Sequence, residues 1–278
     1  MNWSRTKTWL IVLFIGINLF LLFTIAKENI AQSTISEKMV ADTVAILQRN
    51  SITVDPKIIP RKMPILSAME VVNTMTSADE IADALLGGDA TYDREDNCYL
   101  HGTAMVEVGG DSVRYTNTTP THANAYQDEQ SAIQFAKGFL TDAGYNMAKA
   151  EAQILRYSDH EAHILLTQKM DSYPLMDSQF SIRVTSKGVA GLEGCWFYMA
   201  EDQSGASGAR GRVKEITSVL IDFMNDPNRS GSSSTITKIT LGYTTGDKMT
   251  YHKSVSAMPS WRITTADGKE YYYDASSI

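Results

Sequence analysis

The chain has 278 residues, with 25 Lys+Arg against 32 Asp+Glu, a net charge of −7 and 43% apolar content. That is the make-up of a globular protein, and the length suits one large domain or two smaller ones. Arg5 and Lys7 precede Lys27 but no acidic residue does, so the remainder is more acidic than the whole. Such a surface excludes binding to nucleic acid or anionic headgroups through general electrostatics, and it favours contact with protein.

The first element is a transmembrane anchor helix over residues 9–26, WLIVLFIGINLFLLFTIA, uncharged, with Asn18 and Thr24 as its polar residues. At a rise of about 1.5 Å per residue it reaches roughly 27 Å, close to the hydrocarbon thickness of a bilayer. In lipid the backbone must satisfy its own hydrogen bonds, which dictates a helix. Arg5 and Lys7 lie on one side while Lys27 is offset by Glu28 on the other. The positive-inside bias therefore predicts a cytoplasmic head (1–8) and a single-pass protein whose bulk is extracytoplasmic at the cell membrane. A cleaved signal peptide fits less well, because the apolar run is long and Thr24-Ile25-Ala26 is a poor cleavage site. Ile11, Phe14, Asn18, Leu21, Leu22 and Ile25 share one helical face. An amide there either bonds to its own helix or bridges to a partner helix, at roughly 0.6 kcal/mol on average.

Beyond the anchor, Thr34-x-x-Glu37 has capping-box form and opens a helix with Val40, Val44 and Leu47 at helical spacing, ending near Asn50. Residues 52–54 are extended and Pro56 and Pro60 bar further helix. Residues 65–75 are strand-like, and Ser77-x-x-Glu80 opens a short helix stopped at Gly87-Gly88. A β-hairpin follows, 104–108 with 112–116. The polar stretch 118–127 sets a boundary, giving units 27–127 and 128–278. The second unit opens with a helix over 128–143, with Ile133, Ala136, Phe139 and Leu140 inward and Gly144 as its stop. Strands are expected at 153–157, 162–168, 180–185 and 189–199, then a small-residue loop at 204–211. A helix over 213–225 precedes strands at 236–243, 249–254, 261–264 and 270–273. Helices followed by runs of strands predict an α+β fold of two tandem helix-plus-antiparallel-sheet units.

Candidate chemistry is sparse. Cys98 and Cys195 stand far apart and form no zinc pattern. Two buried free thiols or, in an oxidising compartment, a disulfide both suit their strand-like surroundings. His160-Glu161-Ala162-His163 lacks the helical spacing of a zincin, and residues 204–211 lack the Gly-Lys-Ser/Thr of a P-loop. No serine stands in an activating motif. Asp171 and Asp177 flank Tyr173-Pro174-Leu175-Met176 and read as loop and turn residues. The sequence thus predicts no catalytic residue, no metal and no cofactor. Competing readings are a contact-based regulator, an extracytoplasmic module binding a ligand or wall fragment, and an unrecognised hydrolase.

Three stretches carry a resemblance. Met1-Asn2-Trp3-Ser4-Arg5-Thr6-Lys7-Thr8 leads into the span marked by Asn18. Tyr173-Pro174-Leu175-Met176-Asp177 runs through Val184 and Gly188 to Trp196. Leu241-Gly242-Tyr243 is followed by Pro259-Ser260-Trp261-Arg262-Ile263 and by Gly268-Lys269-Glu270-Tyr271-Tyr272-Tyr273-Asp274-Ala275. In order and spacing these resemble the YycH/YycI family, accessory regulators of the sensor histidine kinase YycG (WalK), with a length most like YycI; residues 63–126 match nothing. The resemblance implies a non-enzymatic protein whose anchor packs against the kinase's membrane helices together with a YycH-like partner.

Overall fold

The computed structural model describes residues 34–276 except 74, 111, 123–124, 171, 198–204, 207–210, 230–232 and 247–253, together with 7, 9–11 and 13–21. Helix α1 (Glu37–Arg49) begins after the expected cap. Ser36, not Thr34, accepts the Met39 amide at 3.2 Å, while Thr34 bridges to Lys62. Ser51 turns at φ +61° into β1 (Ile52–Val54), and Pro56–Ile58 make one 3-10 turn capped by Asp55. Short strands β2 (Ile65–Leu66) and β3 (Met69–Val72) follow.

In α2 (Ala78–Leu86) the Ser77 hydroxyl takes the Glu80 amide. Glu80 reaches back to Thr76 rather than to Ser77, so the box is one residue wider than the pattern implies. Gly87, at φ +80°, ends the helix. A meander follows: β4 (Thr91–Asp93), β5 (Cys98–His101), β6 (Ala104–Val108) and β7 (Val113–Asn117). Helix α3 (Glu129–Asp142) has a reciprocal box between Asp128 and Ser131 and buries Ala132, Ala136 and Leu140; the expected Ile133 and Phe139 are only partly covered.

Four strands come next, β8 (Glu151–Tyr157), β9 (Glu161–Met170), β10 (Tyr173–Thr185) and β11 (Gly188–Cys195). The expected small-residue loop contains two short strands. β12 (Gly205–Ala206) pairs with β3, and β13 (Gly211–Arg212) pairs with β2. Helix α4 (Ile216–Asn225) buries Ile216, Val219, Leu220 and Phe223. The chain closes on β14 (Ser234–Thr244), β15 (Ser254–Thr265) and β16 (Glu270–Asp274). Of the expected strand at 249–254, only Ser254 lies within the described residues.

The fold is α+β, with one large mixed sheet and few helices. Antiparallel pairing dominates, but β1 lies parallel to β14 and β10 touches β14 in parallel at Leu175 and Tyr243, which corrects the purely antiparallel expectation. The packing units are nested rather than tandem. One core, under α2 and α3, draws on β6–β11; residues on both sides of 127 contribute to it. The other joins α1 and β1, from the start, to α4 and β14–β16, from the end. Long-range apolar burial, invisible to local pattern, sets this arrangement.

One bulge links the two. Pro174 pairs with Lys169 and Gln179 with Thr167, so Leu175, Met176, Asp177 and Ser178 all stand opposite the lone Gln168. The freed segment crosses β14 so closely that a Cβ on Gly242 would meet the Pro174 carbonyl at 2.5 Å. Pro259 continues β15 instead of breaking it. Pairing with β3 reaches Ala257 of β15 and pairing with β16 starts at Ser260, so the missing N–H falls between them. Gly242→Ala is expected to destabilise by roughly 2–4 kcal/mol through that overlap, whereas Gly138→Ala on exposed α3, where a Cβ meets nothing within 4 Å, gains roughly 0.5–1 kcal/mol. Thermal unfolding of the two variants checks the contrast: a Gly242→Ala protein as stable as the parent would remove the close crossing.

Candidate functional site

Residues 13–21 are helical, and Trp9, Phe14 and Phe20 are 74%, 67% and 68% exposed. The segment is apolar on every side. Of the expected contact face, Ile11, Phe14, Asn18 and Leu21 are exposed; Leu22 and Ile25 lie outside the described residues. Asn18 Nδ2 donates to the Phe14 carbonyl at 2.8 Å, so the amide is tied to its own helix. Among the described residues no helix is long and apolar enough to cross a membrane.

Asp177 is no turn residue. It sits in the β10 bulge, where its carboxylate accepts the Thr245 amide at 2.6 Å and the Thr244 hydroxyl. Its neighbour Ser178, fully buried, donates to the Gln168 side-chain oxygen Oε1, and Gln168 Nε2 donates to the Phe197 backbone carbonyl at 3.1 Å. Trp196 stacks on Phe180, with centroids 5.5 Å apart. Trp261 Nε1 donates to the Lys214 carbonyl at 2.9 Å, and the Lys214 amide donates to the Ala275 carbonyl at 2.8 Å. The second and third resemblance motifs thus meet physically where β10 crosses β14, and their polar groups hold architecture rather than chemistry.

A cleft not foreseen from sequence runs along α3. Two adjoining cavities, about 410 and 530 Å³, share Tyr115, Asn117, Phe139 and Asp142. The larger continues past Phe135 and Gly138 to His122 and Lys187, with His122 against Phe135 at 4.9 Å. Phe135 and Phe139 were legible as helical apolar positions; that a loop and a distant strand would leave them half open was not.

The remaining candidates do not converge. His160 lies in the turn before β9 and His163 within it, paired with Glu161 at 3.2 Å, as expected for a turn entering a strand. No cluster of metal-ligating side chains occurs among the described residues. Cys98 and Cys195 are both buried and form no disulfide, which decides the open question of a bridge. Burial, then Asp93, Asp96 and Glu107, pushes the Cys98 thiol up and keeps it protonated. Tyr99 is pushed up to about 12 by burial and by its hydrogen bond to Asp79. Asp226 is held below the usual carboxylate range by the Tyr273 hydroxyl at 2.7 Å and then by the Asn228 amide. A depressed carboxyl contributes stability above its unfolded value and loses it as pH falls through the folded one. Tyr273→Phe should therefore flatten the acid limb of a melting-temperature profile below about pH 4; an unchanged limb would count against this pair.

The family described as YycI protein matches residues 30–276. The chain belongs to the YycI family. Among solved structures, YycH from Bacillus subtilis is 14% identical over 77% of this chain and 53% of its own, with a TM-score of 0.48. The chain thus spans about half the length of that YycH. An uncharacterized protein from Eubacterium rectale ATCC 33656 is 12% identical over 82% of this chain and 84% of its own, TM-score 0.45. The Bacillus megaterium YpeB C-terminal domain is 9% identical over 73% and 94%, TM-score 0.35. No curated protein matches.

Proposed function

We propose that this YycI-family chain is a membrane-anchored, non-catalytic regulator of a YycG-type sensor histidine kinase. The family match over residues 30–276 carries the reading, and the apolar N-terminal helix supports its membrane part. A helix apolar all round belongs inside a protein or a bilayer, and none of its described large side chains is buried here. Residues 9–26 would hold the chain as a single-pass anchor, head inside and the rest outside. The partners would be the lipid bilayer, the kinase's membrane helices and a YycH-like protein. Regulation then requires only that the contacts differ in free energy between two kinase states.

The Asn18 amide keeps an acceptor oxygen and a second N–H beyond its bond to Phe14. These would face the kinase along Ile11, Phe14, Leu21, Leu22 and Ile25. Replacing Asn18 by Leu should lower a membrane two-hybrid signal with the kinase's transmembrane segments about threefold, which corresponds to roughly 0.6 kcal/mol. An undiminished signal in that variant, and again after scrambling the whole face, would contradict helix-to-helix coupling.

The cleft along α3 favours one second reading, a module that takes a wall fragment. Gly138→Trp would project a ring into that cleft from a position where a Cβ meets nothing. Saturable binding of soluble wall fragments, lost in this variant, would promote that reading; absence of binding to the parent would end it.

A further inference from the structure

From the register of three adjacent strands we infer that the open face of the β8–β11 sheet docks an acidic, partly apolar protein segment. Arg156 of β8 stands opposite His163 of β9, and His163 stands opposite Arg183 of β10. Side chains directly opposite on neighbouring strands share a face. The other face of β9, with Ala162, Ile164 and Leu166, is buried under α3, so this row points away from the core. Both arginines are exposed, and the His163 side chain retains 35% exposure. Arg183 leans over Gly191, its Nε 3.6 Å from where a Cβ would stand.

Several charges on the neighbouring strands are paired with one another. On the next strands Arg114 binds Glu193 at 3.0 Å and Glu107 at 3.3 Å, and towards the far end Lys169 binds Glu151 at 2.8 Å. The row has Glu161, on His163 at 3.2 Å, as its acid. At the same end of the sheet, Asp159 and His160 occupy the β8–β9 turn and Lys187 the β10–β11 turn. Arg156 makes no ion pair among the described residues. Among the described residues Arg183 donates only to the Ala190 carbonyl, at 3.5 Å. The two guanidiniums therefore flank His163 on either side, in a chain of net charge −7.

Guanidinium forks suit carboxylates, which identifies the charge of the occupant. Leu155, 53% exposed at the bulge before Arg156, and half-buried Leu165 identify its second property. A free anion or a headgroup gains nothing from those two leucines, whereas a segment of mixed acidic and apolar side chains does. This surface is independent of the anchor and of the kinase reading.

The test uses the full-length protein in zwitterionic-lipid nanodiscs and a fluorescent peptide of alternating Glu and Leu. A Lys–Leu peptide and vesicles containing phosphatidylglycerol serve as comparison probes. Saturable binding of the Glu–Leu peptide alone is expected, weakened about tenfold in the Arg156→Gln/Arg183→Gln double variant. The melting temperature of that variant should match the parent's, because both arginines are exposed and neither makes an ion pair among the described residues. Equal binding by the variant, no saturable binding by the parent, binding to the vesicles only, or a lowered melting temperature would each overturn the assignment.

Discussion

Everything in this fold depends on how strand β10 joins the two halves of the large sheet. Its bulge, Leu175 to Ser178, has no room to lie flat beside β9, and it is taken up by β14 at Gly242, where the missing Cβ lets two backbones approach. Leu175 and Tyr243 are buried there with Met170, Cys195, Phe197 and Ala257, a small apolar cluster between the two large cores. Ser178 and Gln168 satisfy one another inside it, which matters because a buried polar group without a partner costs about as much as a lost hydrogen bond.

This seam has a mechanical meaning under the proposed function. Helix α1, the first described element after the anchor segment, belongs to the core built from the two ends of the chain. The cleft along α3 and the row Arg156–His163–Arg183 belong to the other core. An event on the second core can influence the anchor through contiguous packed structure, and β10 is the strand of that core that pairs with β14 of the other. A continuous sheet with a tight crossing transmits displacement better than a flexible linker would, since packed interiors yield little.

Local physics was legible wherever a residue acts on its immediate neighbours. Ser77, Gly87, Asp128 and Gly144 mark helix ends by hydrogen-bonding needs or by positive φ, and the structure places the ends close to them. Inward positions such as Val44, Leu47, Leu220 and Phe223 follow from helical spacing. What could not be read was pairing between distant segments. Asp177 looks like a turn residue because the strand that receives it lies far along the sequence, and residues 255–260 of β15 fall between two expected strands because their pairing with β3 and β16 is not written near them. The parallel match of β1 with β14 is likewise a choice among apolar strands that sequence alone leaves open. The cleft and the basic row share this character, since each is assembled from elements brought together only by the final register.

The account turns on the two cores being one cooperative body joined at the crossing. Native-state hydrogen exchange across a denaturant series measures this directly. The slow amides of β14 and β15 should share one global opening free energy and one denaturant dependence with those of β9 and β11. Two separate openings, with the α1–α4 core exchanging independently of the α2–α3 core, would contradict it.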